Sequence, residues 1–345
     1  MATVDVTVYG AGIFGLSVAF ACAKRGAITR VIDPNGVAGG ASGGIVGALA
    51  PHVPENWNAK KQFQLDSLLM ARDFWPDIEA RTGLPTGYSR SGRLQPLADG
   101  AAVALARQRA MSATELWKDQ AQWNVVAATA SGWEPPSDTG LLVKDTLSAL
   151  IHPRLATQAL ARAVQNLKGE ICTEAEAEGQ VVWATGWAGL AEMSKDAPHQ
   201  IGNGVKGQAA LLDFDASGAP QLFADTLHII PHRDGTVAVG STSEREFDDP
   251  DATDDALEDV IARAKAAMPI LSDAPVIERW AGVRPRSRSR APMLGEHPQR
   301  KGEFVANGGF KIGFGMAPKV GEVMADLVLE NRVTYPDDFD VSRNL

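Results

Sequence analysis

Apolar and polar positions alternate from the start of the chain, where Val4, Val6 and Val8 are separated by Asp5 and Thr7 and the run ends at Tyr9. That period of two, in residues that suit a pleated surface, predicts a β-strand. Gly10, Gly12 and Gly15 then punctuate a turn. An apolar helical stretch runs to about Arg25, and a second strand is predicted over 27–32, ending at Asp33. Strand, glycine turn, helix, strand, acid is the setting in which G-x-G-x-x-G marks a dinucleotide site. Gly10 permits the tight turn, Gly12 lets a pyrophosphate approach the backbone, and Gly15 lets the helix pack closely. The helix N-terminus offers free N–H groups to phosphate. Asp33 follows Gly15 by 18 residues, near the roughly 20 at which an acid accepts a ribose hydroxyl.

The patterning further along predicts alternating helices and strands. Apolar positions Phe63, Leu65, Leu68, Leu69, Phe74 and Ile78 predict a helix over 59–82, broken at 83–85. Residues 88–97 read as a short strand or hairpin, 100–122 as an alanine-rich helix, 131–140 as a loop, 141–143 as a strand and 154–167 as a helix entered through Pro153. Residues 180–189 give a buried strand running into Ala184, Thr185 and Gly186, the kind of strand end at which open α/β sheets bind ligands. Residues 205–247 alternate as antiparallel sheet, with a hairpin turn at 233–236. The acidic segment 248–259 lacks the central glycine and closing glutamate of a calcium loop. It reads instead as a helix start capped by Thr253.

Two other glycine-rich stretches complete the pattern. Five glycines fall within 39–47, interleaved with apolar residues that expect burial, and Ser42 there can serve phosphate or ring atoms. His52, between two prolines, is either an acid or base or a structural histidine. Near the C-terminus, four glycines between 308 and 315 lead into an apolar helix. Its N-terminus offers a positive dipole end, which suits a flavin that gains negative charge on reduction. The expected fold class is α/β (α+β overall): a Rossmann-like FAD-binding domain with a second, mainly antiparallel β-sheet substrate domain. The first is assigned residues 1–85, 145–200 and 275–345, and the second 86–144 and 201–274.

Composition narrows the function. The chain has 345 residues, enough for two ordinary domains, and a net charge of −9, which argues against nucleic-acid binding as its main task. Two cysteines make no disulfide framework, and no histidine or cysteine cluster suggests a metal. Met1 leads directly into the first strand and no apolar run is long enough to span a bilayer. These features predict a cytoplasmic enzyme, with an oligomer possible. Residues 279–301 hold seven Lys and Arg residues against one acid. Within them Arg284, close to Trp280, is either a grip for a substrate carboxylate or a solvated arginine.

The chain resembles the D-amino-acid oxidase superfamily of FAD-dependent amine oxidoreductases, particularly its glycine-oxidase and sarcosine-oxidase-like branches. The resemblance covers nearly the whole chain. It rests on VYGAGIFG at 8–15, GASGGIVGALAPH at 40–52, VVWATGW at 181–187, VKGQ at 205–208, IIPHRDGTVAVGST at 229–242, WAGVRPRSRSRAPMLG at 280–295 and GGFKIGFGMAP at 308–318.

The resemblance implies an FAD site built from Gly10, Gly12, Ile13, Phe14, Gly15, Asp33, Pro34, Ser42, Gly43, Gly47, Ala48, Leu49, Ala184, Thr185, Gly186, Lys311, Ile312, Gly313, Phe314, Gly315 and Met316. It implies a small amine or amino acid (glycine, sarcosine or a D-amino acid) held by Arg284, hydride transfer to flavin N5, and an imine that hydrolyses. Oxygen or another acceptor would then take the electrons. This chain departs from the branch pattern in carrying His228 where a substrate-facing tyrosine is expected and Lys311 where a second arginine is expected. Tyr88 is the substitute available. The expected catalytic set is therefore Arg284, Lys311, His228 and Tyr88. With no cysteine after Cys172, the FAD is expected to be non-covalent. A modified tRNA wobble base as substrate, or a non-catalytic FAD-binding protein, are the alternative readings.

Overall fold

The computed structural model describes residues 3–129 and 131–345. The expectation of no leader, read from Met1, lies outside them. A six-stranded sheet runs in the order Met293–Glu296, Glu303–Asn307, Gln180–Trp183, Val6–Tyr9, Thr29–Ile32, Glu170–Cys172. Every neighbouring pair is parallel except the first, which is antiparallel. From Val6–Tyr9 the chain moves to one side through the helix Ile13–Lys24, and the strand Gln180–Trp183 joins on the other. The switch point therefore lies between the carboxyl ends at Tyr9 and Trp183, where the crevice of an open parallel sheet forms.

The glycine helix is apolar on all sides because it is covered on all sides. Ile13 through Ala23 are buried, and the helix Gly313–Glu330 crosses it so closely that a Cβ on Gly321 would meet the Ser17 carbonyl oxygen at 2.6 Å. Arg25 pins the far end of the pair through Asp326 (2.8 Å) and Glu322 (2.7 Å). The helix expected over 59–82 spans Ala59–Thr82: Asn58 accepts the Lys61 N–H at 3.0 Å, and Gly83 closes it in the left-handed conformation.

The second sheet has eight strands, ordered Val276–Ser287, Gly202–Asp213, Thr236–Gly240, Leu227–Pro231, Gln221–Ala224, Arg93–Pro96, Leu141–Asp145, Trp123–Ala127. It is antiparallel apart from the pairing of Gln221–Ala224 with Arg93–Pro96. Alternation sorts its side chains. Ala210, Leu212, Ile229, Val237 and Val239 cover the helix Asp255–Ala267, whereas Ala209, Leu211, Ile230 and Ala238 pack against Ile45 and Leu150 from the first unit.

Two expectations shift. The strand Val276–Ser287 lies along Gly202–Asp213 for its whole length, so it belongs to the eight-stranded sheet although it falls beyond the boundary expected at 275. The acidic helix is capped by Asp254 rather than Thr253. Asp254 is fixed by reciprocal hydrogen bonds with the Gln208 amide (2.8 Å each), and its carboxylate accepts the Ala256 N–H at 3.0 Å. No described helix is long and apolar enough to cross a membrane.

Candidate active site

The dinucleotide turn is built by contacts that only glycine allows. Gly10 has φ +109°, and a Cβ there would fall 2.3 Å from the Ala184 carbonyl oxygen, where the two central strand ends meet. A Cβ on Gly15 would fall 2.0 Å from the Gly10 carbonyl oxygen. Gly12 differs: its nearest neighbour is the Ser42 hydroxyl at 3.2 Å, so its backbone face stays open. Asp33 does more than wait for a ribose. Its Oδ2 accepts the Ala11 N–H (2.8 Å) and its Oδ1 the Asn35 N–H (2.9 Å), which joins the turn to the second strand. The Ser42 hydroxyl accepts the Ile13 N–H at 2.9 Å.

Gly10, Gly12, Ile13, Asp33, Asn35 and Ser42 border one cavity of about 1260 Å³ that continues to Arg284, His228 and Lys311. Ordinary small-molecule sites occupy about 300–1,000 Å³, so a dinucleotide together with a small substrate can be accommodated. The open backbone at Gly12, the acid at Asp33 and the helix N-terminus at Gly313 and Phe314, all on this cavity, fit FAD.

The far end of the cavity is cationic. Arg284 pairs with Val205 across the two long strands, and its guanidinium lies over Gly207, where a Cβ would be 2.0 Å from Nη2. Nη2 donates to the Ser241 hydroxyl (2.5 Å) and Nη1 to the Thr242 carbonyl (3.3 Å). Enclosure in protein pushes the guanidinium down to about 10, and Glu244 opposes this. No carboxylate forms an ion pair with Arg284 among the described residues. Lys311 is held below the usual lysine range by burial and then by Arg284. His228 is pushed down to about 3, chiefly by burial and further by Arg93, Lys311 and Arg284. It is therefore neutral at physiological pH, and its buried Nδ1 has no hydrogen-bond partner among the described residues.

Most of the expected site residues line the cavity: Gly10, Gly12, Ile13, Phe14, Asp33, Pro34, Ser42, Gly43, Gly47, Ala48, Ala184, Thr185, Gly186, Lys311, Gly313, Phe314 and Gly315, with Arg284 and His228. Five expected residues do not. Gly15 sits beneath the turn. Leu49 and Met316 are turned into the core, Ile312 packs against the same core, and Tyr88 is buried away from the cavity with charges of Arg90 and Arg72 acting on it. His52 is also off the cavity; its backbone N–H donates to the Gln64 side-chain oxygen at 2.7 Å, and its ring Nδ1 lies 2.5 Å from the same oxygen.

Two cavity-lining residues carry no local sequence signal: Phe223, on the strand Gln221–Ala224, and Ser241, just past the end of the strand Thr236–Gly240. The sequence marks Trp280 only as a neighbour of Arg284. It also lines the cavity, edge-on to Gly44, where a Cβ would meet Cη2 at 3.2 Å.

The family described as FAD dependent oxidoreductase (DAO) matches residues 5–327. The chain is 26% identical over 358 residues to a glycine oxidase of Bacillus licheniformis, covering 95% of this chain and 94% of that protein. It is 27% identical over 362 residues to a bifunctional protein ThiO/ThiG of Synechocystis sp., covering 96% of this chain and 52% of that protein, so it spans about half the length of that relative. The crystal structure of glycine oxidase from Geobacillus kaustophilus superposes with a TM-score of 0.86 at 20% identity, over 99% of each chain.

Proposed function

Since this chain belongs to the FAD-dependent oxidoreductase (DAO) family, and is thus an FAD-dependent enzyme, we propose that it oxidises a small amine that carries a carboxylate, of the glycine, sarcosine or D-amino-acid type. The observation that carries this reading is Arg284: a half-buried guanidinium, held flat over Gly207, facing the cofactor cavity, with no carboxylate partner among the described residues. A planar fork in that position grips a substrate carboxylate through two parallel hydrogen bonds.

FAD, when bound, supplies the hydride acceptor. The residues supply the rest. Arg284 fixes the carboxylate and with it the α-carbon, a contribution of orientation. Arg284 and Lys311 together place positive charge beside the substrate nitrogen, which favours the neutral amine over the ammonium. The nitrogen lone pair is then available without a strong protein base. His228, neutral in this surrounding, can accept or donate a hydrogen bond but carries no charge to the site. Trp280 and Phe223 form apolar walls that keep water out.

The experiment is anaerobic: the flavin band of the purified protein is followed while glycine, sarcosine and D-amino acids are added. Bleaching by a member of the panel supports the reading, and a flavin that none of them reduces overturns it. A tRNA base is a poorer fit, because the basic run 279–301 does not form one face. Arg279 pairs with Glu258 (3.0 Å), Arg284 lies in the cavity, and Arg300 lies over the Trp183 ring at 4.6 Å.

A further inference from the structure

The cavity holds more positive charge than one carboxylate can balance. Arg284 and Lys311 both line it. Of the two acidic residues among its described lining, Asp33 is engaged at the dinucleotide end, and Asp251 is exposed on the loop before the helix Asp255–Ala267. Glu244 influences Arg284, but its Oε1 already accepts hydrogen bonds from Thr242 and Gln208. Lys311 has no ion-pair partner among the described residues. Its Nζ lies 5.7 Å from the centre of the Phe310 ring.

The backbone is set up to place that lysine. Phe310 adopts φ 42°, a left-handed conformation that a bulky residue adopts only where its surroundings enforce it. The Phe310 N–H is anchored on the Pro285 carbonyl (3.0 Å), one residue after Arg284, so the two cations are carried by segments tied to each other. Arg284 is half-buried and Lys311 exposed on the same cavity, so both cations are free to meet a ligand, and one with two anionic groups would pair with both. The N-terminus of the helix Gly313–Glu330 is separately available for the negative charge a flavin gains.

The same sign continues outward. The Arg286 guanidinium stands 5.8 Å from the centre of the Phe310 ring, and Arg286 is held below its ordinary value by burial and by Arg290 and Arg245. A field of this kind draws multiply charged anions inward more strongly than singly charged ones.

We propose that the substrate is an amine bearing two anionic groups, with one carboxylate gripped by Arg284 and a second anionic group by Lys311. This rests on the amine-oxidation reading above. The substrate class is an amino dicarboxylate, either an N-carboxymethyl amino acid or an acidic D-amino acid.

The test uses matched pairs on the FAD-loaded enzyme under anaerobic conditions: sarcosine against iminodiacetate, and D-alanine against D-aspartate. In at least one pair the dicarboxylate is expected to half-saturate flavin reduction at a concentration lower by about tenfold or more, the worth of one charge-assisted hydrogen bond. Lys311→Met should bring that ratio close to one, and Lys311→Arg should retain it. Monocarboxylates that saturate at equal or lower concentrations, or a Lys311→Met variant that leaves the ratio unchanged, would overturn the proposal while the amine-oxidase reading stands. If no member of either pair reduces the flavin, the proposal falls, and the amine-oxidase reading falls with it only when glycine and the rest of the D-amino-acid panel also leave the flavin oxidised.

Discussion

Gly207 and Arg284 form a matched pair: a Cβ on Gly207 would lie 2.0 Å from Nη2 and 2.1 Å from Nη1 of Arg284. Arg284 sits directly opposite Val205, so Gly207 is its diagonal neighbour on the same sheet face. The bare backbone is the bed on which the guanidinium rests. Gly207→Ala should therefore displace the arginine without touching the substrate. The KM for a carboxylate-bearing amine is expected to rise by about 10- to 100-fold, the worth of the charge-assisted hydrogen bonds that a displaced guanidinium no longer makes, with a smaller effect on kcat. Steady-state kinetics on the variant check this, and an unchanged KM would separate the two residues.

Asp33 holds the dinucleotide turn through Ala11 and Asn35. Asp33→Ala removes both backbone acceptors along with the expected ribose contact, and FAD affinity should fall by about 10- to 100-fold. Ser42→Ala removes one hydroxyl from the Ile13 N–H and should cost about 1 kcal/mol, the net worth of one neutral hydrogen bond. Titration of the apoprotein with FAD, read by flavin fluorescence, distinguishes the two sizes of effect.

Acid should destabilise the protein through its buried histidines. His228 is pushed down to about 3 by burial, and His152 to about 4 by burial and the neighbouring His232, whose ring centre lies 4.6 Å away. In the unfolded chain both titrate near 6.5. Below about pH 6.5 the unfolded chain takes up protons that the folded one refuses, so stability is full above that pH and declines toward pH 3–4. Each histidine costs about 2 kcal/mol by pH 5. Thermal melts at pH 7 and pH 5 should show the drop, and His152→Gln should reduce it. A Tm that is flat across that range contradicts this account.

The flavin should leave the protein on acid precipitation. Cys22 is fully buried on the glycine helix, its thiol pushed up to about 12, and Cys172 is on the edge strand of the six-stranded sheet. Neither lines the cavity. Yellow colour retained in the pellet would contradict non-covalent binding.

What was legible in the sequence was what local chemistry dictates. Gly10 and Gly15 announce the turn because no other residue fits its backbone and close contacts. The helix Ala59–Thr82 is readable because Asn58 and Gly83 mark its ends. Arg284, Lys311 and His228 could be singled out by resemblance, but that they meet in one cavity is set by three separate segments of the fold.

Long-range placement was not legible. Ser241 and Phe223 reach the cavity only through strand pairing. The chain has only three tyrosines, which makes Tyr88 the natural candidate, but packing buries it away from the cavity. The cap fell on Asp254 because Gln208, 46 positions away, holds it. The strand Val276–Ser287 fell on the other side of the expected domain boundary because its pairing partner is distant in sequence.

Everything proposed for the reaction depends on Arg284 holding the carboxylate of an amine beside FAD. The most direct measurement is the anaerobic rate of flavin reduction against concentration of one reducing amino acid, in the wild type and in Arg284→Ala. The half-saturating concentration is expected to rise by about 100-fold in the variant, from removal of a bidentate charged interaction, while bound FAD is retained. The same half-saturation in both proteins would show that the carboxylate is held elsewhere.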